Sequence, residues 1–92
     1  MNQNPNFLTI HTTINDIETK QDKNLNPYFK LSLQDHLDYF YAFTYNLPKN
    51  TLKNLAESPH KLVNQAVVVT YEELPNKDGN GNFFRVKDIE LV

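Results

Sequence analysis

Nucleobases and other flat ligands are held by stacking, and one stretch of this chain carries the side chains for it: Tyr39-Phe40-Tyr41-Ala42-Phe43-Thr44-Tyr45. Tyr39, Tyr41, Phe43 and Tyr45 are large aromatics on one parity, while Phe40, Ala42 and Thr44 make up the other. Alternate residues of a strand point to opposite faces, so one face of this strand is an aromatic ladder. Turned inward, the ladder is a packed core. Turned outward, it is a platform for bases.

Other residue types that do chemistry are present without the spacing that chemistry needs. His11, His36 and His60 are far apart in the chain, no pair has helical ligand spacing, and no acidic cluster accompanies them. A metal site is therefore not expected, nor any other cofactor. Gly79 and Gly81 lie in a turn with no helix after it, which is not a phosphate cradle. Asp35 and Asp38 flank a turn and Glu72-Glu73 adjoin a loop, so both pairs read as turn formers and solubilising charge. Ser32 and Ser58 lack a triad-like context. No enzyme is expected.

The bulk numbers narrow the class further. A chain of 92 residues makes one domain, and at this size about 60–65% of the unfolded surface is buried, which leaves a small stability margin. There is no cysteine, so disulfides and thiolate metal sites are excluded. Residues 1–6, Met-Asn-Gln-Asn-Pro-Asn, have neither a basic start nor an apolar run and read as a flexible polar lead, not a signal peptide. The longest purely apolar run is Ala66-Val67-Val68-Val69, far short of the ~20 residues that span a bilayer. A soluble cytoplasmic protein without membrane contact is the expectation. Nine Lys and Arg against eleven Asp and Glu give a net charge of −2. That weighs against a duplex binder gripping by charge, and less against a single-strand binder in which stacking supplies part of the affinity.

The elements that would position these residues follow from period and turn chemistry. Phe7 to Thr19 alternates as a long half-buried strand, and its parity breaks between Ile14 and Ile17, which predicts a bulge and a bend. Gln21 to Pro27 is a polar loop. Tyr28 to Gln34 alternates cleanly, with Phe29, Leu31 and Leu33 inward and Tyr28, Lys30, Ser32 and Gln34 outward. The short Asp35–Asp38 connection joins it to the aromatic strand as an antiparallel hairpin. Asn50 or Thr51 can cap a short helix running to Ser58, with Leu52, Leu55 and Ala56 on one face and Pro59 as its stop. Leu62 to Glu73 reads as the fourth strand, starting at Leu62 or at Gln65, and Pro75 to Asn82 as a turn. Phe83 to Val92 is the fifth strand, with Phe84 and Val86 on one parity, Ile89 and Leu91 on the other, and an irregularity at Lys87-Asp88.

This order, strand–strand–strand–helix–strand–strand with a long bent first strand, resembles the OB-fold, an all-β five-stranded Greek-key barrel with one short helix between strands three and four. The resemblance spans residues 7–92. Tyr28 to Asp35, Tyr41 to Asn46 and Val67 to Tyr71 are similar to strands two, three and four of nucleic-acid-binding members. The chain departs from the pattern in lacking a glycine at the first-strand bend. An SH3-like barrel is the main rival, and the helix and the long first strand do not suit it.

The resemblance implies a ligand path over the outer face of strands two and three, between the first and last loops. Two physical arguments turn the ladder outward. Four adjacent large aromatics would overfill a small barrel already holding Phe29, Leu31, Leu33, Val67, Val69 and Phe84. Three of the four are tyrosines, whose hydroxyls need partners if buried. The resemblance adds a third argument, a stacking aromatic just before an Asn at the end of strand three, here Tyr45 before Asn46. Tyr41, Phe43 and Tyr45 then stack bases, with Tyr28 across the hairpin and Tyr39 on the same face. Lys30 lies beside them, Lys20 and Lys23 on the first loop, Lys77 on the last loop and Arg85 after it. The expected function is non-enzymatic binding of single-stranded DNA or RNA, accessory to replication, repair or mobile-element processing. Replication or repair proteins and further copies of the chain are its expected partners. The alternatives are a protein-interaction module or homo-oligomer using the same patch, and a non-catalytic subunit of a larger enzyme.

Overall fold

The computed structural model describes residues 7–92, so the polar lead expected over residues 1–6 lies outside it. Five strands form a closed barrel: β1 (Leu8–Gln21), β2 (Pro27–Leu33), β3 (Tyr39–Phe43), β4 (Ala66–Pro75) and β5 (Asn82–Leu91). The helix α1 (Lys49–Glu57) lies between β3 and β4. Strand order around the barrel is β1-β2-β3-β5-β4, as expected of an OB-fold.

The bend of β1 is what lets five strands close. Its first half, Leu8–Thr13, pairs with β4, and from Ile14 onward it pairs with β2. The register slips between Ile14 and Asp16, where the parity break predicted a bulge. Asn15 is the extra residue, so Ile14 and Ile17 both face the interior although their spacing is odd. The second irregularity also falls where the pattern breaks: Thr70 pairs with Asp88 and Tyr71 with Val86, leaving Lys87 as the extra residue of β5.

The core contains Phe29, Leu31 and Leu33 of β2, Phe40 and Ala42 of β3, Val67 and Val69 of β4, and Val86 and Ile89 of β5. Phe40 is 2% exposed and Ala42 0%, so the even parity of the aromatic strand faces inward. Phe40 stacks on Phe84 at 4.9 Å between ring centroids and meets the Tyr71 ring edge-on at 5.0 Å. Leu91 was placed on the same parity as Ile89, yet it is exposed at the barrel rim, where β5 runs out.

Three boundaries around the helix differ from the sequence expectation, and β1 and β4 each end two residues later, at Gln21 and Pro75. The aromatic strand ends at Phe43, and Thr44–Asn46 form a turn of 3-10 helix, so Tyr45 leaves the ladder's strand. The fourth strand begins at Ala66, one residue past the later of its two expected starts: Pro59–Lys61 make another 3-10 turn and Leu62 is buried in the core. The helix begins at Lys49 behind Pro48, and neither Asn50 nor Thr51 caps it. Pro48 supplies a preset φ just outside the first turn, where a missing N–H costs nothing. The buried helical face is Thr51 and Leu55, with Ala56 exposed.

Thr51 has a different task. Its buried hydroxyl donates to the Asp88 carboxylate and lies 3.3 Å from the Ile89 carbonyl, tying α1 to β5. The same Asp88 oxygen accepts the Ile89 N–H at 2.8 Å. Thr51→Val keeps the shape and removes the donor. It is expected to lower stability by about 1.5–3 kcal/mol, the range for a hydrogen bond to a charged group. Urea denaturation checks it, and Thr51→Ser should recover most of the loss. Among the described residues no helix is long and apolar enough to cross a membrane.

Candidate nucleic-acid interface

The outer face of β2 and β3 is where the aromatics gather. Cross-strand pairing sets Tyr28 opposite Phe43, Lys30 opposite Tyr41 and Ser32 opposite Tyr39. The Tyr28 ring lies 5.5 Å from Phe43 and 6.3 Å from Tyr41. Phe43 stacks against Tyr45 at 5.9 Å and 26°. Tyr45 is 77% exposed, the most open of the group, because the 3-10 turn carries it off the sheet. That turn is tethered from behind by Asn46, whose Oδ1 accepts a hydrogen bond from Lys87 Nζ at 3.3 Å. Ladder rings on the inside would have collided with Phe29 and Leu31, which are fully buried there.

The Tyr28, Tyr41 and Phe43 rings floor an open groove of about 790 Å³, with Tyr45 beyond its edge. Of the residues expected at the site, Tyr28, Tyr39, Tyr41, Phe43 and Lys77 line it. The sequence reading missed Phe83, Asn76 and Asn82 on the last-loop side, Asp22 at the first loop, and Leu37 and Asp38 at the β2–β3 turn. Phe83 meets Phe43 edge-on at 6.5 Å. A signal for it existed: if Phe84 and Val86 point inward, Phe83 and Arg85 must point outward. The last loop borders the groove with Asn76, Lys77 and Asn82 and turns at Gly79 (φ 80°) and Gly81 (φ 73°), a region that side chains other than glycine seldom adopt.

The five expected cations divide. Lys30 places its ammonium 3.9 Å from the centroid of the Tyr39 ring, a cation–π contact that covers that face of Tyr39. Lys77 borders the groove, and Lys23 is exposed on the first loop outside the lining. Lys20 is not on the loop but inside β1, 3.4 Å from Glu18. Arg85 sits beside Tyr41 through the parallel β3–β5 pairing, but its guanidinium is held by Glu72 at 2.7 and 2.9 Å. Glu72 and Glu73 are β4 residues, and Glu72, half-buried under Arg85 and Lys87, is a structural counter-ion, not loose solubilising charge.

Asp22 organises the first loop. Its Oδ1 accepts the backbone N–H groups of Asn24 at 2.8 Å and Asn26 at 2.9 Å, while Leu25 takes up a left-handed φ of 67°. The bond from Asn26, followed by those from Asn24 and the Asn26 side chain and the nearby Lys23 charge, holds the Asp22 carboxyl below its ordinary value of 3.8 against a smaller opposing effect of desolvation. A depressed folded-state pKa contributes loop stability above the unfolded value, and that contribution disappears as pH falls through the lower folded one. In an NMR titration, the Asn24 and Asn26 amides should shift together with a midpoint below the ordinary Asp range. Asp22→Asn should abolish that titration.

Two histidines separated by 25 positions in the sequence, His11 and His36, border one cleft with Asp35 on another side of the barrel. Among the described residues, no group of three or more metal-ligating side chains converges there or elsewhere.

No family model and no curated protein matches this sequence. Among solved structures, the chain is similar to the mitochondrial single-stranded DNA binding protein Rim1 of S. cerevisiae, with a TM-score of 0.69 at 18% identity. The likeness covers 98% of this chain and 96% of that one, and the described residues have the OB-fold.

Proposed function

We propose that this protein binds single-stranded DNA, without catalysis, by stacking bases on the outer face of β2 and β3, as an accessory to replication, repair or mobile-element processing. The observation that carries this reading is the outward cluster of Tyr28, Tyr41, Phe43, Tyr45 and Phe83 between the first and last loops. Aromatic faces in a groove of this kind accept any base, because every base has a π-face. The binding stated in the name of the similar Rim1 structure supports the same reading. RNA offers the same stacking surfaces and is the second strand type to be compared.

The charge around the groove sets the affinity. Lys77 shares the groove lining with Asp22 and Asp38, Lys30 is engaged over the Tyr39 ring, and Arg85 is already paired with Glu72. Few phosphates are neutralised, so stacking dominates and a monomer binds in the micromolar range, about −8 kcal/mol. The salt slope is correspondingly shallow, with d log K/d log[salt] near about −1.4 for two phosphates on a single strand. Fluorescence titration with oligo-dT over a salt series tests both statements. No binding at high micromolar protein would sink the proposal. A stable dimer in light scattering, with the tyrosines shielded from a surface probe, would assign the patch to a protein interface instead.

A further inference from the structure

The groove does not stop at Phe43. A smaller depression adjoins it, sharing Asp22 and Phe43 and adding Pro27, Thr44 and Tyr45. A third adjoins the second, sharing Pro27 and Thr44 and running along α1. The bed of this third groove is apolar: Phe29, Pro27, Leu52 and Ala56. Its rim carries Lys49 and Lys53. The spacing of 49, 52, 53 and 56 puts the two lysines and two apolar residues on one stripe of the helix, with neighbouring Cβ atoms about 5–6 Å apart. Both lysines are exposed, and among the described residues neither has an acidic partner within ion-pair distance. Glu57, the last residue of α1, closes the far end.

Resting on the stacking function above, we propose that the α1 groove is an extension of the single-strand track. A strand leaving the exposed Tyr45 ring turns over Pro27 and Thr44 and lays one base on the Leu52–Ala56 bed. Lys49 and Lys53 neutralise the phosphates on either side of that base. Three features favour a nucleic acid over an apolar peptide here. The groove is continuous with the aromatic face, Tyr45 stands at the junction as the next stacking ring, and the unpaired ammoniums complement a phosphodiester chain. Asp22 at the first junction and Glu57 at the exit repel phosphate, so they hold the strand to the lysine side and limit its length.

Two oligo-dT strands of about six and about twelve nucleotides, within the range bound by one OB-fold, are titrated into the full chain and into Lys49→Gln/Lys53→Gln. Lys61→Gln, an exposed lysine on the 3-10 turn outside the groove, controls for overall charge. For the wild type, the longer strand should bind more tightly than the statistical gain in sites, with a salt slope steeper by about 1.4, the single-strand value for two phosphates. The double variant should lose both increments, and the ratio of long to short affinities should fall by about tenfold relative to the control. A ratio and slope unchanged in the double variant overturn the extension while leaving the stacking face intact. No binding of either strand by the wild type overturns the stacking reading itself. A Glu-rich peptide with one Leu or Phe, binding in the micromolar range and lost in the double variant while the DNA ratio is unmoved, would assign the groove to a protein partner and overturn the proposal.

Discussion

Replacing Tyr41 and Phe43 together with alanine should weaken single-strand binding by at least about 30-fold while the barrel stays folded. Each stacked base is worth about 1–3 kcal/mol by truncation, so losing two such rings costs about 2–6 kcal/mol, an affinity loss between about 30-fold and about 10⁴-fold. From a micromolar start, the dissociation constant moves to between tens of micromolar and the millimolar range. Stability suffers less because both rings are already partly in water. What is lost is packing against Tyr28 across the hairpin and of Phe43 against Tyr45 and Phe83, about 0.2–1 kcal/mol for each cross-strand pair. A folded double variant, verified by its thermal melt, that still bound oligo-dT with wild-type affinity would remove the β2–β3 face from the binding site.

The neighbouring position should give the opposite phenotype. Phe40→Ala leaves the outer face untouched and opens a cavity between Phe84, Tyr71 and His36, whose rings lie 4.9, 5.0 and 5.8 Å away. Phe→Ala in a core costs about 3–5 kcal/mol. A small domain has about 5 kcal/mol or a little more to lose. The variant is therefore expected to be largely unfolded at physiological temperature, with the urea midpoint collapsing toward zero. Phe40→Leu, which keeps most of the volume, should remain folded and retain binding. If Phe40→Ala melted like the wild type, the inward parity of the strand would be wrong and the outward ladder with it.

The contrast between residues 40 and 41 shows what a period of two conveys. Inner and outer sides of β2 and β3 were legible because a strand's side chains alternate whatever lies beside it, and because Phe29, Leu31 and Leu33 leave no room inside for a second aromatic row. The bulge before Ile17 and the extra residue Lys87 were legible for the same reason: each appears as a break in alternation. Tyr45 was misplaced within its strand because its spacing fits the ladder, while the backbone turns into 3-10 helix to reach Pro48 and α1. Asn50 and Thr51 are good caps by type, yet the helix starts ahead of both, at Lys49. Thr51 instead finds a stronger acceptor 37 positions away in Asp88, which no local pattern displays.

The sequence by itself determined the order of elements, the inner and outer faces of β2 and β3, and the two bulges, all properties of short windows governed by backbone period and turn chemistry. Only the tertiary structure decided which faces meet. Barrel closure through the parallel β3–β5 pair places Arg85 beside Tyr41 and brings Phe83 to Phe43. The same closure spends Arg85 on Glu72 and turns the α1 lysines toward a groove continuous with Tyr45. Those juxtapositions join residues tens of positions apart. They depend on how a bent sheet closes, and charge and exposure at the interface follow from that closure rather than from any residue's neighbours in the chain.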